Sequence, residues 1–408
     1  MYNFNEIIDR ANTNAMKLEG YKSYIFGADD SFELPFKDNE FIHMWVADME
    51  WAIAPEIIEA IKERADKKIL GYTANIDNTL FNAVSNWCKN RYDWDINREE
   101  FVTSDGVVTA IERIIEYAVP EDKKVLFNTP AYGQFALASE RVGREYITSK
   151  LIHNNDGTYD IDFEDLDEKM GRDDVELFIL CSPHNPTGRI WTKEELEKLA
   201  KLIKKHNIWV ISDEIHCDIR RADAPKHVPF AKILKDYDKM TTCMATSKTF
   251  NLAGLQQSAI FIRNKEVRDI WNYKYMNLLN PLSNAGTIAA YTKGEAWLDE
   301  MTAYLDDNFK FMEEFIEKNL NKTVVTKSDT TYLGWVDFRN YFEDDEDVEL
   351  FFAKIAGVLI EADKSFVEHA KGMVRLNLAC PRSYLKEGLE RMADALNNKH
   401  NEKFTDKR

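Results

Sequence analysis

Short apolar runs alternate with amphipathic segments through the middle of the chain. The runs K-V-L-F-N-T around Val125, E-L-F-I-L-C around Phe178 and I-W-V-I-S-D from Ile208 are typical of strands, and K-E-E-L-E-K-L-A-K-L-I-K-K-H between the last two is typical of a helix. This alternation predicts β-α-β units and a mostly parallel sheet. Two further strand-like runs begin at Thr241 and Ser258. Because too few residues separate them for a helical crossover, one of the two is expected to be antiparallel or an edge strand.

The segments before this region predict helices. A helix is expected to start at Pro55, which suits a first helical turn, and a second fits Asn78 to Arg91. A third, V-V-T-A-I-E-R-I-I-E-Y-A-V, ends against Pro120.

Beyond Ser283 the pattern becomes mostly helical, followed by strand-like Y-L-G-W-V-D-F and V-R-L-N-L-A and a last helix from Tyr384. A second, smaller α/β domain is predicted there. The expected division is an N-terminal arm or part of the small domain at 1–44, a large domain at 45–284 and a small C-terminal domain at 285–408. The final N-N-K-H-N-E-K-F-T-D-K-R is expected to be a frayed tail.

Composition and charge limit the class of protein. The 408 residues, 44% of them hydrophobic, exceed what one compact core usually holds. A net charge of -18 disfavours nucleic acid or anionic membrane as a partner. The chain shows neither a signal-peptide pattern nor a membrane-spanning apolar stretch, and its five cysteines are scattered without paired spacing. A soluble protein of the reducing cytoplasm is therefore expected.

Candidate chemistry lies at three strand ends, where open α/β sheets bind ligands. Lys248, in T-S-K-T-F-N-L-A-G-L-Q, has small and apolar neighbours that would lower an amine's pKa. Asp213 ends the strand I-W-V-I-S and could pair with a protonated ring nitrogen, and Asn185 in S-P-H-N-P-T-G could donate to a ring oxygen. Taken singly, these residues are also typical of a surface lysine, a helix cap and a turn.

A phosphate site is suggested by two further groups. Hydroxyls flank the lysine at Thr246, Ser247 and Thr249, and Gly106 opens a helix whose first amides, at Gly106, Val107 and Val108, could bind an anion. By itself, a glycine at a helix start is usually only a cap. A lysine, an acid for a pyridinium and a phosphate cradle together predict pyridoxal 5′-phosphate as cofactor. A metal site among the ligand-type residues of 213–218 is disfavoured because successive strand residues face opposite sides.

The chain resembles fold-type I pyridoxal-phosphate enzymes of the aminotransferase class I/II superfamily, and within it the MalY, PatB and cystalysin-like cystathionine β-lyase group. The motifs that carry this resemblance span nearly the whole chain and include W-V-A-D-M-E, L-G-Y-T, D-G-V-V, P-A-Y, C-S-P-H-N-P-T-G-R, S-D-E-I-H-C-D, S-K-T-F-N-L-A-G-L and V-R-L-N-L-A-C-P-R. The resemblance implies an α/β fold like that of aspartate aminotransferase, with a large domain built on a mostly parallel sheet and a smaller C-terminal α/β domain.

The resemblance also implies roles for individual residues. Lys248 would form the Schiff base with the cofactor, Asp213 would pair with the pyridine nitrogen, and Asn185 would bind the ring oxygen. Further roles fall to Tyr132 (stacking on the ring), His216 (near the ring oxygen), Tyr72 (reaching the phosphate of the neighbouring subunit and serving catalysis), Arg375 (gripping the substrate carboxylate, otherwise a strand-edge salt bridge) and Trp45 (substrate binding). A homodimer with shared sites follows from the role of Tyr72. One departure is Gln256, where many superfamily members carry a phosphate-binding arginine.

The reaction implied by the resemblance is β-elimination from cystathionine or another cysteine S-conjugate, giving a thiol, pyruvate and ammonia. Transamination is the alternative, because it shares the same residues up to the branch point. A regulatory protein that retains lyase activity is a further alternative.

Overall fold

The computed structural model describes residues 1–275 and 277–399. The helices are α1 (Met16–Glu19), α2 (Tyr21–Phe26), α3 (Pro55–Ala65), α4 (Thr79–Tyr92), α5 (Val107–Ala118), α6 (Gln134–Arg141), α7 (Phe163–Met170), α8 (Lys193–His206), α9 (Phe230–Ile233), α10 (Thr246–Thr249), α11 (Lys265–Lys274), α12 (Pro281–Lys293), α13 (Glu295–Asn319), α14 (Val348–Phe351) and α15 (Arg382–Asn397). The strands are β1 (Ile42–His43), β2 (Thr73–Ala74), β3 (Phe101–Ser104), β4 (Lys124–Thr129), β5 (Ala131–Tyr132), β6 (Tyr146–Lys150), β7 (Ile152–His153), β8 (Tyr159–Asp160), β9 (Val175–Cys181), β10 (Trp209–Asp213), β11 (Met240–Ala245), β12 (Ser258–Ile262), β13 (Leu278–Leu279), β14 (Val324–Val325), β15 (Leu333–Asp337), β16 (Val358–Leu359), β17 (Phe366–Val367) and β18 (Met373–Asn377).

A seven-stranded mixed sheet in the order β3-β12-β11-β10-β9-β4-β6 forms the centre of the molecule. Strands β6, β4, β9, β10 and β11 are parallel, and β12 is antiparallel to both of its neighbours. The prediction of a mostly parallel sheet is confirmed. The antiparallel strand is the one that begins at Ser258, and it is interior to the sheet rather than at its edge.

Both faces of this sheet are buried, which explains why its strands are apolar without alternation. In β9, Phe178 and Leu180 belong to the core on one face, whereas Leu177 and Ile179 belong to the core on the other. Helix α5 packs its apolar stripe on the second of these faces. Side chains at the strand ends are therefore held by strands that cannot shift without disturbing two cores.

The C-terminal part contains a smaller antiparallel sheet, β14-β15-β18, together with the contacting helices α13 and α15. Two short pairings tie it to the rest of the chain: β1 pairs with β16, and β5 pairs with β17. The N-terminal segment thus lies against the C-terminal part. The division at residues 44 and 284 stays a prediction.

The predicted helices occur with small shifts at their ends. The helix expected from Asn78 is α4, which begins at Thr79, and the last helix begins at Arg382 rather than Tyr384 because Pro381 provides its N-cap. Proline occupies the first turn of α3, as expected. The tail prediction concerns mainly residues 400–408, which lie outside the described residues. Within the described chain, all five cysteines are free and buried, and no helix is both long and apolar enough to cross a membrane.

Candidate active site

The carboxyl ends of the parallel strands bring the predicted residues to one edge of the sheet. Strands β4, β9, β10 and β11 are neighbours with a common direction, and β3 shares that direction because β12 is antiparallel to both β11 and β3. At or shortly after the carboxyl ends of these strands lie Tyr132, Asn185, Asp213, Lys248 and Gly106. Open α/β sheets bind their ligands at this edge.

Lys248 lies in α10, the single turn that follows β11. Its Nζ donates a hydrogen bond to the backbone carbonyl of Ala47 at 2.8 Å. Burial lowers the pKa of Lys248 to about 8, and the positive charge of Arg375 contributes in the same direction. The lysine is therefore an amine that loses its proton near neutral pH, as a nucleophile or general base requires.

Asp213 is the last residue of β10 and is buried. One carboxylate oxygen accepts a hydrogen bond from the backbone N–H of Ile215 at 3.2 Å. Burial raises the pKa of Asp213 to about 7, while nearby Lys248 acts in the opposite direction. A cation in direct contact with the Asp213 carboxyl would favour its ionised form, and a protonated pyridine nitrogen is such a cation.

Arg375 joins the small sheet to the strand-end residues. One guanidinium nitrogen donates to Oδ1 of Asn185 at 3.2 Å, and another pairs with the carboxylate of Glu361. The Arg375 and Glu361 side chains are each only 3% exposed. Glu361 belongs to no sequence motif, and only its tertiary contacts with Arg375, a side-chain ion pair and a backbone bridge, reveal it. The salt bridge considered for Arg375 is thus present, but it is buried and adjoins Asn185.

His216 and Tyr132 complete the buried polar surface. His216 Nδ1 has no hydrogen-bond partner among the described residues, and burial lowers its pKa to about 3, so the ring is neutral. Burial raises the pKa of Tyr132 to about 12, with Arg375, Glu361 and Asp213 close enough to influence it. A neutral imidazole and a protonated phenol can both donate hydrogen bonds at pH 7.

Two segments form the predicted phosphate cradle. One is the open backbone turn at Gly106, and the other carries the hydroxyls of Thr246 and Ser247. Gly106 adopts φ +137°, and no atom lies within 4 Å of the position that a side-chain carbon would occupy there. Helix α5 follows at once, with the first-turn amides of Val107 and Val108. On the other side, Thr246 is buried and Ser247 is half-buried. Gln256, the predicted departure from the phosphate-binding pattern, is exposed with φ +48°.

The two remaining predicted residues are Tyr72 and Trp45. Tyr72, which immediately precedes β2, is 96% exposed, so no role within its own chain is visible. Trp45 is fully buried, and its indole N–H donates to the carbonyl of Lys17 at 2.9 Å. Packing accounts for Trp45, and its assignment to substrate binding stays a prediction.

The ligand-type residues of 213–218 do not converge. Glu214 accepts hydrogen bonds from His227, Ser212 and the backbone of Phe230, whereas Asp218 turns toward α4 and α10. Across residues 1–275 and 277–399, no group of three or more histidine, cysteine, aspartate or glutamate side chains could hold a metal ion.

The residues present fit pyridoxal 5′-phosphate. An amine of lowered pKa, a buried carboxylate in need of a cation and an unpartnered imidazole nitrogen lie at the same edge as the open Gly106 cradle. Each feature corresponds to one part of that cofactor: aldehyde, ring nitrogen, ring oxygen and phosphate.

Comparison with known proteins agrees with this geometry. The family model described as aminotransferase class I and II matches residues 43–392. The chain belongs to the aminotransferase class I and II family. Its fold is that of the PLP-dependent aminotransferases, as the sequence predicted.

Full-length relatives of this family member are known. Cystathionine beta-lyase PatB of Bacillus subtilis (strain 168) is 38% identical, over 97% of this chain and 100% of that protein. The PLP-bound C-S lyase from Staphylococcus hominis has a TM-score of 0.92 at 43% identity, covering 97% of this chain and 98% of its own. Cystalysin from Treponema denticola, which contains pyridoxal 5′-phosphate, has a TM-score of 0.90 at 31% identity, covering 98% of this chain and 99% of its own.

Proposed function

We propose that this family member is a pyridoxal-phosphate-dependent carbon-sulfur β-lyase that cleaves L-cystathionine or a related cysteine S-conjugate to a thiol, pyruvate and ammonia. The observation that carries the proposal is the full-length similarity to a cystathionine β-lyase and to PLP-bound C-S lyases, at 38% and 43% identity. The strand-end residues agree with it but do not by themselves separate a lyase from an aminotransferase.

The cofactor would be held by residues at the carboxyl edge of the sheet. Lys248 would bind its aldehyde carbon, Asp213 its ring nitrogen, and Asn185 with His216 its ring oxygen. The ring would stack on Tyr132, and its phosphate would be held by the amides of Gly106, Val107 and Val108 and the hydroxyls of Thr246 and Ser247. Without an arginine at Gln256, amides and hydroxyls carry more of the phosphate binding in this proposal.

When bound, pyridoxal phosphate supplies an electron sink for negative charge at the substrate α-carbon. Arg375 would bind the substrate α-carboxylate through its guanidinium, exchanging its contacts with Asn185 and Glu361 for hydrogen bonds to the substrate. Lys248 Nζ, whose pKa is lowered to about 8, accepts the α-proton. The Ala47 carbonyl, 2.8 Å from Nζ, provides an acceptor for this amine when it is not otherwise bound. Loss of the thiolate from Cβ completes the elimination.

A homodimer with shared sites is part of the same proposal. Apolar side chains near β2 and β13 are strongly exposed, with Tyr72 at 96% and Ile76 at 93%. Ile69, Leu70 and Tyr273 add to this surface. Contiguous exposed apolar surface is typical of an interface, and a two-fold axis would bring Tyr72 to the neighbouring subunit's phosphate cradle. The five free cysteines agree with a cytoplasmic location for this dimer.

The reaction is tested with purified, cofactor-loaded protein and L-cystathionine. Pyruvate is expected over many turnovers, with equal thiol release, and is expected to be absent in Lys248→Ala. The absorbance spectrum is recorded at the same time. A pyridoxamine phosphate spectrum without pyruvate, reversed by a keto acid, would instead identify an aminotransferase.

The shared site is tested by mixing two inactive variants. In a hybrid of Lys248→Ala and Tyr72→Ala chains, a site that takes Lys248 from one subunit and Tyr72 from the other is intact once per dimer. Activity is therefore expected to return on subunit exchange, up to half of wild type per hybrid. If both residues served the same subunit, both sites of the hybrid would carry a defect and no activity would return.

A further inference from the structure

A second cavity, away from Lys248 and Asp213, lies between the β7–β8 hairpin and the C-terminal sheet. Its volume is about 760 Å³, within the range of small-molecule sites. Its wall includes three basic side chains and two histidines, against the two carboxylates of Asp162 and Asp337. The basic and imidazole side chains are Lys150, His153, Arg339, His369 and Lys371. We name this space the basic cavity.

The charge of the basic cavity is opposite to that of the chain. The whole protein carries 71 acidic and 53 basic residues, a net charge of -18. Arg339 is neutralised by Asp337, to which its Nε donates at 3.0 Å, and Asp162 caps α7. Lys150 has no ion-pair partner among the residues that the structure describes, and Lys371 pairs at 3.4 Å only with the fully exposed Asp344. The positive charges of Lys150 and Lys371 are therefore largely uncompensated by neighbouring carboxylates.

Both histidines lie within the influence of these cations. Burial lowers the pKa of His153, and Arg339 and Lys150 lower it further. Burial also lowers the pKa of His369, where Lys150 adds to the effect and Glu368 opposes it. Lys150 is thus close to both imidazoles. His153 Nε2 is buried and has no hydrogen-bond partner among the described residues, which leaves a polar atom to be satisfied.

One wall of the cavity is a conformationally unusual segment. Glu368 and His369 follow each other with φ +48° and +53°, in the left-handed region that side-chain-bearing residues seldom adopt. Hydrogen bonds hold both of them to the large sheet: Thr148 donates to Glu368 at 2.6 Å, and Thr129 lies 2.9 Å from His369 Nδ1. Such local strain is concentrated at binding sites and switch regions.

The same segments lead to the active site. Pro130 and Met373 line the basic cavity. Tyr132 lies two residues after Pro130, on the strand that pairs with Phe366, and Arg375 lies two residues after Met373 on β18. A ligand that fixed the cavity walls would therefore also fix the two strands that carry Tyr132 and Arg375.

From this arrangement we propose that the basic cavity binds a phosphate-bearing small molecule of up to nucleotide size, and that its occupancy tunes the binding of the substrate carboxylate. Lys150 and Lys371 supply charge-assisted hydrogen bonds to the phosphoryl oxygens. The imidazole of His153, whose ring centroid lies 4.5 Å from that of Tyr159 in a stacked arrangement, supplies a polar wall. The binding claim does not depend on the reaction that the enzyme catalyses.

The test is calorimetric titration of the cofactor-loaded protein at constant ionic strength, with inorganic pyrophosphate and adenosine diphosphate as separate probes. Bound cofactor keeps the probes out of its own phosphate cradle. Saturable binding of at least one probe is expected. Lys150→Ala and Lys371→Ala are each expected to weaken it about tenfold, whereas Lys201→Ala, an exposed lysine on α8, leaves it unchanged. If adenosine diphosphate alone binds, the ligand is a phosphate ester; if pyrophosphate binds equally well, the phosphoryl groups suffice.

A kinetic readout separates regulation from simple binding. A saturating probe is expected to change the substrate KM at least twofold, with kcat little affected, and the change is expected to disappear in the Lys150→Ala, Lys371→Ala double variant. Absence of binding by both probes at millimolar concentration overturns the proposal. Binding that the double variant and Lys201→Ala retain equally also overturns it, because the anion then lies elsewhere. Binding without any KM change overturns the regulatory part.

Discussion

Asp213 and Glu214 are adjacent in the sequence and opposite in environment. Asp213 faces the strand edge, accepts one backbone hydrogen bond, and has a pKa raised to about 7 by burial. Glu214 faces the interior and accepts three hydrogen bonds at 2.7 to 2.9 Å, from His227, Ser212 and the backbone of Phe230. One carboxylate is left ready for a ligand, whereas the other is fully used in holding the fold.

The contrast extends to the neighbouring turn. Asp218 accepts hydrogen bonds from Trp87 at 2.9 Å, from Tyr92, and from Thr249 at 2.8 Å. Thr249 follows Lys248, so the satisfied carboxylate anchors the turn that carries the reactive amine. Asp213, at the front of the site, keeps a carboxylate with a raised pKa and a single backbone hydrogen bond, whereas Glu214 and Asp218 form a hydrogen-bonded layer behind it that stabilises its position.

The largest effect is expected at the front. Lys248→Ala should reduce kcat by about 10⁴-fold, because the chain loses the group proposed both to bind the cofactor and to act as base. Thermal unfolding should occur at the same or a higher temperature, since the lost amine is buried and has a lowered pKa. Steady-state pyruvate formation and calorimetry check both. A variant that also unfolds many degrees lower would contradict the separation of the two layers.

Replacing each of the two adjacent acids by its amide is expected to give the next largest effect. Asp213→Asn should lower kcat about 10²-fold or more without loss of stability, because it removes the charge that, in the proposed function, faces the cofactor nitrogen. Glu214→Gln should lower stability by about 2 kcal/mol, since an amide cannot accept all three hydrogen bonds equally well. Urea unfolding and kinetics on both variants provide the crossed comparison. Equal losses of stability would show that Asp213 is structural as well.

The stability of the cofactor-free protein is expected to depend on pH through Asp213, which distinguishes Asp213 further from Glu214. The Asp213 carboxyl titrates near pH 3.9 when unfolded and at about pH 7 when folded. The folded state therefore binds the extra proton between these values. The contribution of the Asp213 carboxyl to the free energy of unfolding is complete below about pH 4 and is lost as the pH rises through 7. Relative to Asp213→Asn, wild type should lose about 1.4 kcal/mol per pH unit over the central part of this range. If the unfolding free energies of the two proteins changed equally with pH between pH 4 and 7, the raised pKa of Asp213 would be refuted.

The smallest effect is expected at the link between the layers. Thr249→Val removes the hydrogen bond to Asp218 and should cost about 1–2 kcal/mol of stability. If that bond positions Lys248, kcat should fall severalfold with KM unchanged, and Thr249→Ser should restore it. Activity that Thr249→Val leaves intact would limit the role of Asp218 to stability.

Much of the site could be predicted from single strand ends. Lys248, Asp213 and Asn185 each follow an apolar run that could only be a strand, and parallel strands place their carboxyl ends together. The contacts of Lys248 with the Ala47 carbonyl and of Arg375 with Glu361 could not be predicted. Neither Ala47 nor Glu361 belongs to the segment that it contacts, and neither carries a local signal. Tyr72 is exposed at the surface of its own chain, and only the homodimer proposed above would give it a place in a site.

The sequence by itself determined the order of elements, the parallel sheet and the residue types at its edge, because periodicity and strand-end chemistry are local properties of the chain. The strand-end position also pointed to Asp213, but only the tertiary structure showed that the adjacent Glu214 is fully hydrogen-bonded behind it. It also decided that Arg375 shares a buried ion pair with Glu361, and that lysines from β6 and from the loop before β18 face one cavity. These outcomes depend on burial and on distances between remote segments, which local patterns do not encode.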